Sequence, residues 1–163
     1  MDYYANVVID YLRADRALFI NTECCIQLKE GNPDQSGPHW YCDAVTVDFR
    51  DRIIYLCEIT YSASLGSLVG RLRQWHENWS DICAALARDC CLPKDWPVRV
   101  WLFVPEYLIP KLCIRLDQIK GNGPSIVFAP KVTPLEMAQP WKYRGWDRNG
   151  EAEKPNVPET LRL

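Results

Sequence analysis

The sequence predicts a mixed α/β domain, with a central mixed β-sheet flanked by helices. Three observations predict it. Three strand-like runs joined by short polar loops fill residues 17–59. The longest apolar stripe at helical spacing follows, over residues 64–88. A further apolar, β-branched run comes next at 97–104.

Each element has its own local cause. In residues 3–14, Tyr4, Val7, Val8, Tyr11 and Leu12 recur at helical spacing, and Asp2 stands where an N-cap belongs. Residues 17–28, ALFINTECCIQL, read as a strand. Residues 29–38 gather Gly, Pro, Asn, Asp and Ser, the composition of a loop. From His39 to Phe49 the chain alternates, with Cys42, Ala44, Thr46 and Asp48 on one side. Tyr41, Asp43, Val45, Val47 and Phe49 fall on the other. Arg50-Asp51-Arg52 makes a polar turn, and Ile53–Ile59 is apolar enough for a strand buried on both faces. Strand, short turn and strand make a hairpin.

Leu65, Leu68, Val69, Leu72, Trp75, Trp79, Ile82, Cys83 and Leu86 then form one stripe at about 100° per residue. This predicts a single helix over 64–88, capped by Ser62 or Ser64 and ended by Pro93 and Pro97. A strand at 97–104, a helix at 105–120 and a last strand at 125–129 follow. The first three strands are therefore mainly antiparallel, and the long helix crosses over to a parallel strand.

The chain has 163 residues, 48% apolar and 25% charged, which suits one domain with a real core. That domain is expected over residues 1–138, with a polar tail over 139–163. The start lacks the basic-then-apolar pattern of a signal peptide, and no apolar run approaches the ~20 residues of a membrane helix. A soluble, cytoplasmic protein is expected, with no membrane partner. Six of the eight cysteines lie in apolar runs, where a reduced thiol behaves as a small hydrophobe. No CxxC pair is present, and Cys90-Cys91 is expected to pack at a helix end. The net charge of −2 argues against a large non-specific nucleic-acid footprint. Residues 1–93 carry net −5 and residues 94–163 net +3, so an acidic half precedes a mildly basic one.

Chemistry is concentrated in the hairpin. A turn centred between Arg50 and Asp51 puts Asp43 and Glu58 nearly opposite each other, about 5 Å apart. Two carboxylates that close repel unless a cation lies between them. Such a pair suits Mg²⁺ or Mn²⁺; Mg²⁺ takes one or two protein carboxylates and keeps several waters. A bound ion would engage a phosphodiester and acidify an attacking water.

The hairpin and its order resemble the PD-(D/E)XK nucleases, the restriction-endonuclease-like superfamily with an αβββαβ core. Asp43 matches the family's first strand acid and Glu58 the second, over roughly residues 3–104. Cys42 replaces the motif proline. Thr60 stands where the motif lysine is expected, and it carries no positive charge. The resemblance implies metal-dependent phosphodiester cleavage in nucleic acid, with Arg71 or Arg73 of the following helix supplying the missing charge. It also implies an acid from the first helix region, for which Asp10 and Glu23 are candidates. Gln74 is similar to a helix glutamine of RecB-like members, although it faces away from the apolar stripe and Asn78 replaces the accompanying Tyr.

Other readings compete. The loss of the lysine fits a catalytically inactive nuclease-fold module that binds nucleic acid or a protein partner, or forms a homodimer. A plain α/β interaction protein would leave Asp43 and Glu58 facing apart. His76 falls in the apolar stripe and reads as a packed core histidine, as Trp75 and Trp79 read as core. His39 is expected to be exposed. Residues 141–148 interleave cations with aromatics, a mixture that either stacks on bases or clamps the tail to the domain.

Overall fold

A computed structural model describes residues 3–30 and 37–142. Five strands, β1 (Leu18–Gln27), β2 (His39–Asp48), β3 (Ile53–Ile59), β4 (Val98–Val104) and β5 (Lys131–Pro134), form one mixed sheet in sequential order. β1, β2 and β3 are antiparallel neighbours, whereas β3, β4 and β5 run parallel. The expected α/β architecture is thus observed.

Helices cover both faces. α1 (Tyr3–Arg13) buries Val8, Ile9, Tyr11 and Leu12 against Tyr55, Cys57, Trp101 and Phe103 on one face. α2 (Gly66–Glu77), α3 (Trp79–Asp89) and α4 (Ile109–Lys120) cover the other, against Val45, Ile54, Leu56, Val100, Leu102 and Val104. Right-handed crossover is the rule for parallel strands joined by helices, and α2–α3 and α4 fill those connections.

The hairpin register is the one its short turn dictates. Ala44 pairs with Cys57 and Asp48 with Ile53, so the next pair outward sets Asp43 opposite Glu58. Asp48 fixes the turn, because its Oδ1 accepts the Arg50 and Asp51 backbone N–H groups at 2.9 and 3.1 Å. Arg50 then reaches back to Asp15, and both guanidinium nitrogens donate to that buried carboxylate at 2.9 and 3.2 Å.

Three expectations are corrected. The helix over 64–88 is two helices, broken at Asn78. There Asn78 leaves the helical range at φ −118°, and its Nδ2 adds a side-chain bond at 2.8 Å to the Gln74 carbonyl that its backbone N–H already reaches. Ser64 Oγ does accept the Gly66 N–H at 3.3 Å, but Leu65 occupies the N-cap with φ 55°. The last strand lies at Lys131–Pro134, not at 125–129. The latter segment puts Ile126 and Phe128 into the core, with Phe128 against Trp79, and lends the sheet one carbonyl, from Phe128 to the Val100 N–H. Pro124 and Pro130 flank it and offer no N–H to a ladder.

The third correction concerns alternation along β2. Val45 and Cys42 both face the α2–α4 core, whereas Ala44 faces α1, so the period of two breaks at Asp43. β1 breaks in step. Leu18 faces α1, but Cys24 and Ile26 face the other core. Glu23, between them, has φ 54°, a left-handed value costly for a residue with a Cβ. The pairing offset is unchanged across the break, with Thr22 opposite Ala44 and Cys24 opposite Cys42. Both strands therefore turn over together, and Glu23 sits across from Asp43.

No helix among the described residues is long and apolar enough to cross a membrane. All eight cysteines are free thiols. Trp141 is exposed, and residues 143–163, most of the expected tail with its cation–aromatic run, lie outside the described residues.

Candidate functional site

The site forms where β2 peels away from β3. Beyond Ala44–Cys57 the backbone ladder stops, and side chains take over its hydrogen bonds. Asp43 Oδ2 accepts the Ile59 N–H at 2.7 Å. Arg71, from α2, donates to the Tyr41 carbonyl at 3.2 Å and to Glu58 Oε2 at 2.5 Å. One turn further along α2, Gln74 Oε1 accepts the Trp40 indole N–H at 2.8 Å. Two α2 side chains thus hold the free end of β2 beside the acids.

Glu58 is the unusual member. It is 3% exposed, on a strand otherwise lined with apolar side chains, and its Oε1 has no hydrogen-bond partner among the described residues. Burial, and then the charge of Asp43, push its carboxyl up to about 8, with Arg71 pulling the other way. For Arg71, burial works against the charge, but Glu58 and Asp43 outweigh it and hold the guanidinium above its ordinary value. The three groups therefore form one electrostatic unit.

The expected residues divide clearly. Asp43, Glu58 and Arg71 come together. Arg73 is exposed on another side of α2. Thr60 is half-buried, and its Oγ1 accepts the Ser62 N–H at 3.2 Å, a local turn contact. Asp10 is exposed on α1, the helix that covers the opposite sheet face from Glu58. Glu23 is exposed on β1, across from Asp43. Among the described residues no group of three His, Cys, Asp or Glu side chains forms a metal-holding cluster.

Gln74 was expected to face away from the core. It is exposed, yet at three residues from Arg71 it shares the edge that meets β2. The Tyr41 carbonyl and the Trp40–Gln74 bond were not foreseen. The i, i+3 spacing of Arg71 and Gln74 was the available signal. His39 is half-buried, with Nδ1 at 2.9 Å from the Gly37 carbonyl. His76 is half-buried against Phe128, edge to face, and Trp75 is fully buried.

Compared with protein-family models, curated proteins and solved structures, the chain matches none.

Proposed function

We propose that this chain is a metal-dependent phosphodiesterase, a nuclease-like domain acting on nucleic acid. The observation that carries the reading is Glu58. A buried carboxylate with one oxygen on Arg71, the other oxygen unpartnered and a second acid alongside is a costly arrangement. The order α1-β1-β2-β3-α2-α3-β4, with acids on β2 and β3, supports the resemblance to a restriction-endonuclease-like core.

The donor set fits Mg²⁺ or Mn²⁺: two carboxylates, one with a buried oxygen not otherwise engaged. Asp43 and Glu58 would hold the ion. When bound, it would polarise a phosphodiester and lower the pKa of water at the site. The chain supplies the rest. Arg71 carries the positive charge that Thr60 lacks, and the Tyr41 carbonyl and Glu58 fix its guanidinium. The Ile59 N–H holds one oxygen of Asp43, orienting that carboxylate. Positioned charge of this kind is what phosphoryl transfer chiefly needs.

Incubation of plasmid and single-stranded DNA with Mg²⁺ tests the reading. Cleavage should require the ion and disappear in Asp43→Ala and Glu58→Gln. Equal background from wild type and Asp43→Ala would remove the catalytic claim.

A second reading rests on a different observation. The Arg71–Glu58 ion pair already neutralises one acid, and the Thr60 hydroxyl is engaged locally. Both favour an inactive nuclease-fold module that binds nucleic acid or a protein partner. Oligonucleotide gel shifts that persist in chelator, without cleavage in Mg²⁺, would favour it.

A further inference from the structure

The end of the sheet that holds Glu58 also holds the exposed tyrosines. Five are exposed among the described residues, Tyr3, Tyr4, Tyr41, Tyr61 and Tyr107, while Tyr11 and Tyr55 are buried. All five map to that one end. Tyr61 follows the carboxyl end of β3 and Tyr107 that of β4, and these strands run parallel. Tyr41 lies near the amino end of β2, which is antiparallel to β3 and so begins where β3 stops. Tyr3 and Tyr4 open α1, and the Tyr4 ring sits 4.6 Å from that of Tyr61, tilted by 32°. Tyr3 meets Tyr4 edge to face at 5.5 Å. The exposed phenylalanines, Phe19 and Phe49, lie at the other end, beside the hairpin turn.

Single exposed aromatics are ordinary on a protein surface, but their gathering at one end is not. The tyrosines also adjoin the acid–arginine site. The Tyr41 carbonyl accepts from Arg71 at 3.2 Å, and the same guanidinium holds Glu58. Tyr61 comes three residues after Glu58. Glu58 meets α2 through Arg71, whereas Tyr61 meets α1 through Tyr4, so acid and rings straddle the same sheet end. The carboxyl ends of parallel strands are where open α/β sheets receive ligands.

We propose that this tyrosine rim is a base-stacking platform that makes the site selective for single-stranded nucleic acid. The inference rests on the phosphodiesterase reading of Asp43, Glu58 and Arg71. Ring faces stack on bases of any sequence, but only where those bases are free of a duplex. The charge of the chain points the same way. A net charge of −2 offers little to a duplex backbone, whereas stacking on neutral rings needs no charge. Tyr4 and Tyr61 hold the bases, and the backbone crosses the sheet end to bring a phosphate to Arg71. Exposed tyrosines also serve protein interfaces. The acids and the arginine at the same end favour a partner that carries phosphate.

Fluorescence polarisation with the full chain tests this, using labelled oligothymidylate and a hairpin duplex of matching length, in chelator so that nothing is cleaved. The single strand should bind about tenfold tighter than the duplex. Tyr61→Ala and Tyr4→Ala should each weaken single-strand binding about tenfold, and Tyr61→Phe should retain it. Phe19→Ala, at the far end, should leave it unchanged. These side chains are exposed, so the variants should fold, which circular dichroism checks. Equal binding of strand and duplex, full binding in Tyr61→Ala, or binding of neither oligonucleotide overturns the inference, and the last leaves the rim to a protein partner. Mn²⁺ titration of the same samples separates this from the reading beneath it. Single-strand selectivity without Mn²⁺ binding upholds the platform and removes the nuclease. Mn²⁺ binding without selectivity does the reverse.

Discussion

Asp15 and Glu58 are both buried carboxylates answered by an arginine that is about one-third exposed. Asp15 uses both oxygens. Arg50 donates to each, and the Ala17 N–H adds a third bond to Oδ1 at 3.0 Å. The bidentate geometry closes the α1–β1 connection onto the hairpin turn and leaves no charge unanswered. Glu58 receives one arginine nitrogen, keeps an unpartnered oxygen and stands beside a second acid. Similar burial thus serves two ends. The first pair is a clamp that stabilises the fold. The second is held in a state that favours a proton, or another cation, on the acid. Perturbation of that kind concentrates at functional sites.

The comparison is sharpest when each arginine is removed. Arg50→Ala should cost about 3 kcal/mol, because it strands a fully buried charge with little relief. Arg71→Ala should cost only about 1 kcal/mol at pH 6, since Glu58 already holds a proton there and no bare charge is stranded. Urea midpoints of the two variants measure this, and an equal or reversed order would break the distinction.

The next effect is on pH dependence. Glu58 titrates near 8 when folded and near 4.5 as a free side chain. Between those values the folded state holds a proton that the unfolded chain has lost. The Glu58 contribution should therefore make stability fall as pH rises from 4.5 towards 8, by at most roughly 1.4 kcal/mol per unit. Below 4.5 both states are protonated, and above 8 both are charged, so that slope vanishes. Glu58→Gln should flatten the curve and make the protein more stable than wild type at pH 8.5. Parallel profiles in the two proteins would contradict the assignment.

Much of this was readable in the chain before folding. A short polar turn between two alternating runs fixes its own centre, and that alone sets Asp43 against Glu58. Arg71 at the border of an apolar stripe was a visible candidate, with Arg73 equally eligible until the helix was placed on the sheet. Other features depend on tertiary contacts. The break at Asn78 is the exception, a local bond from its side chain to the carbonyl four residues back, hidden beneath an unbroken apolar stripe. The turnover of β1 and β2 at Glu23 and Asp43 is a joint act of two strands, and neither sequence alone carries it. The Asp15–Arg50 clamp spans 35 residues of chain, with no local pattern to announce it.

The smallest effect concerns the support of the site. Gln74→Ala should remove the Trp40 bond at a cost of about 0.5–1 kcal/mol. On the proposed reading, it should lower cleavage more than stability, because it frees the end of β2 that carries Asp43. Loss of stability without loss of activity would confine Gln74 to a structural role.

Calorimetric titration with Mn²⁺ tests most directly whether Asp43 and Glu58 share a cation. Saturable binding at one site is expected in wild type, with marked loss in Asp43→Asn and in Glu58→Gln, both folded by circular dichroism. Absence of binding in wild type, or undiminished binding in either variant, would contradict the account.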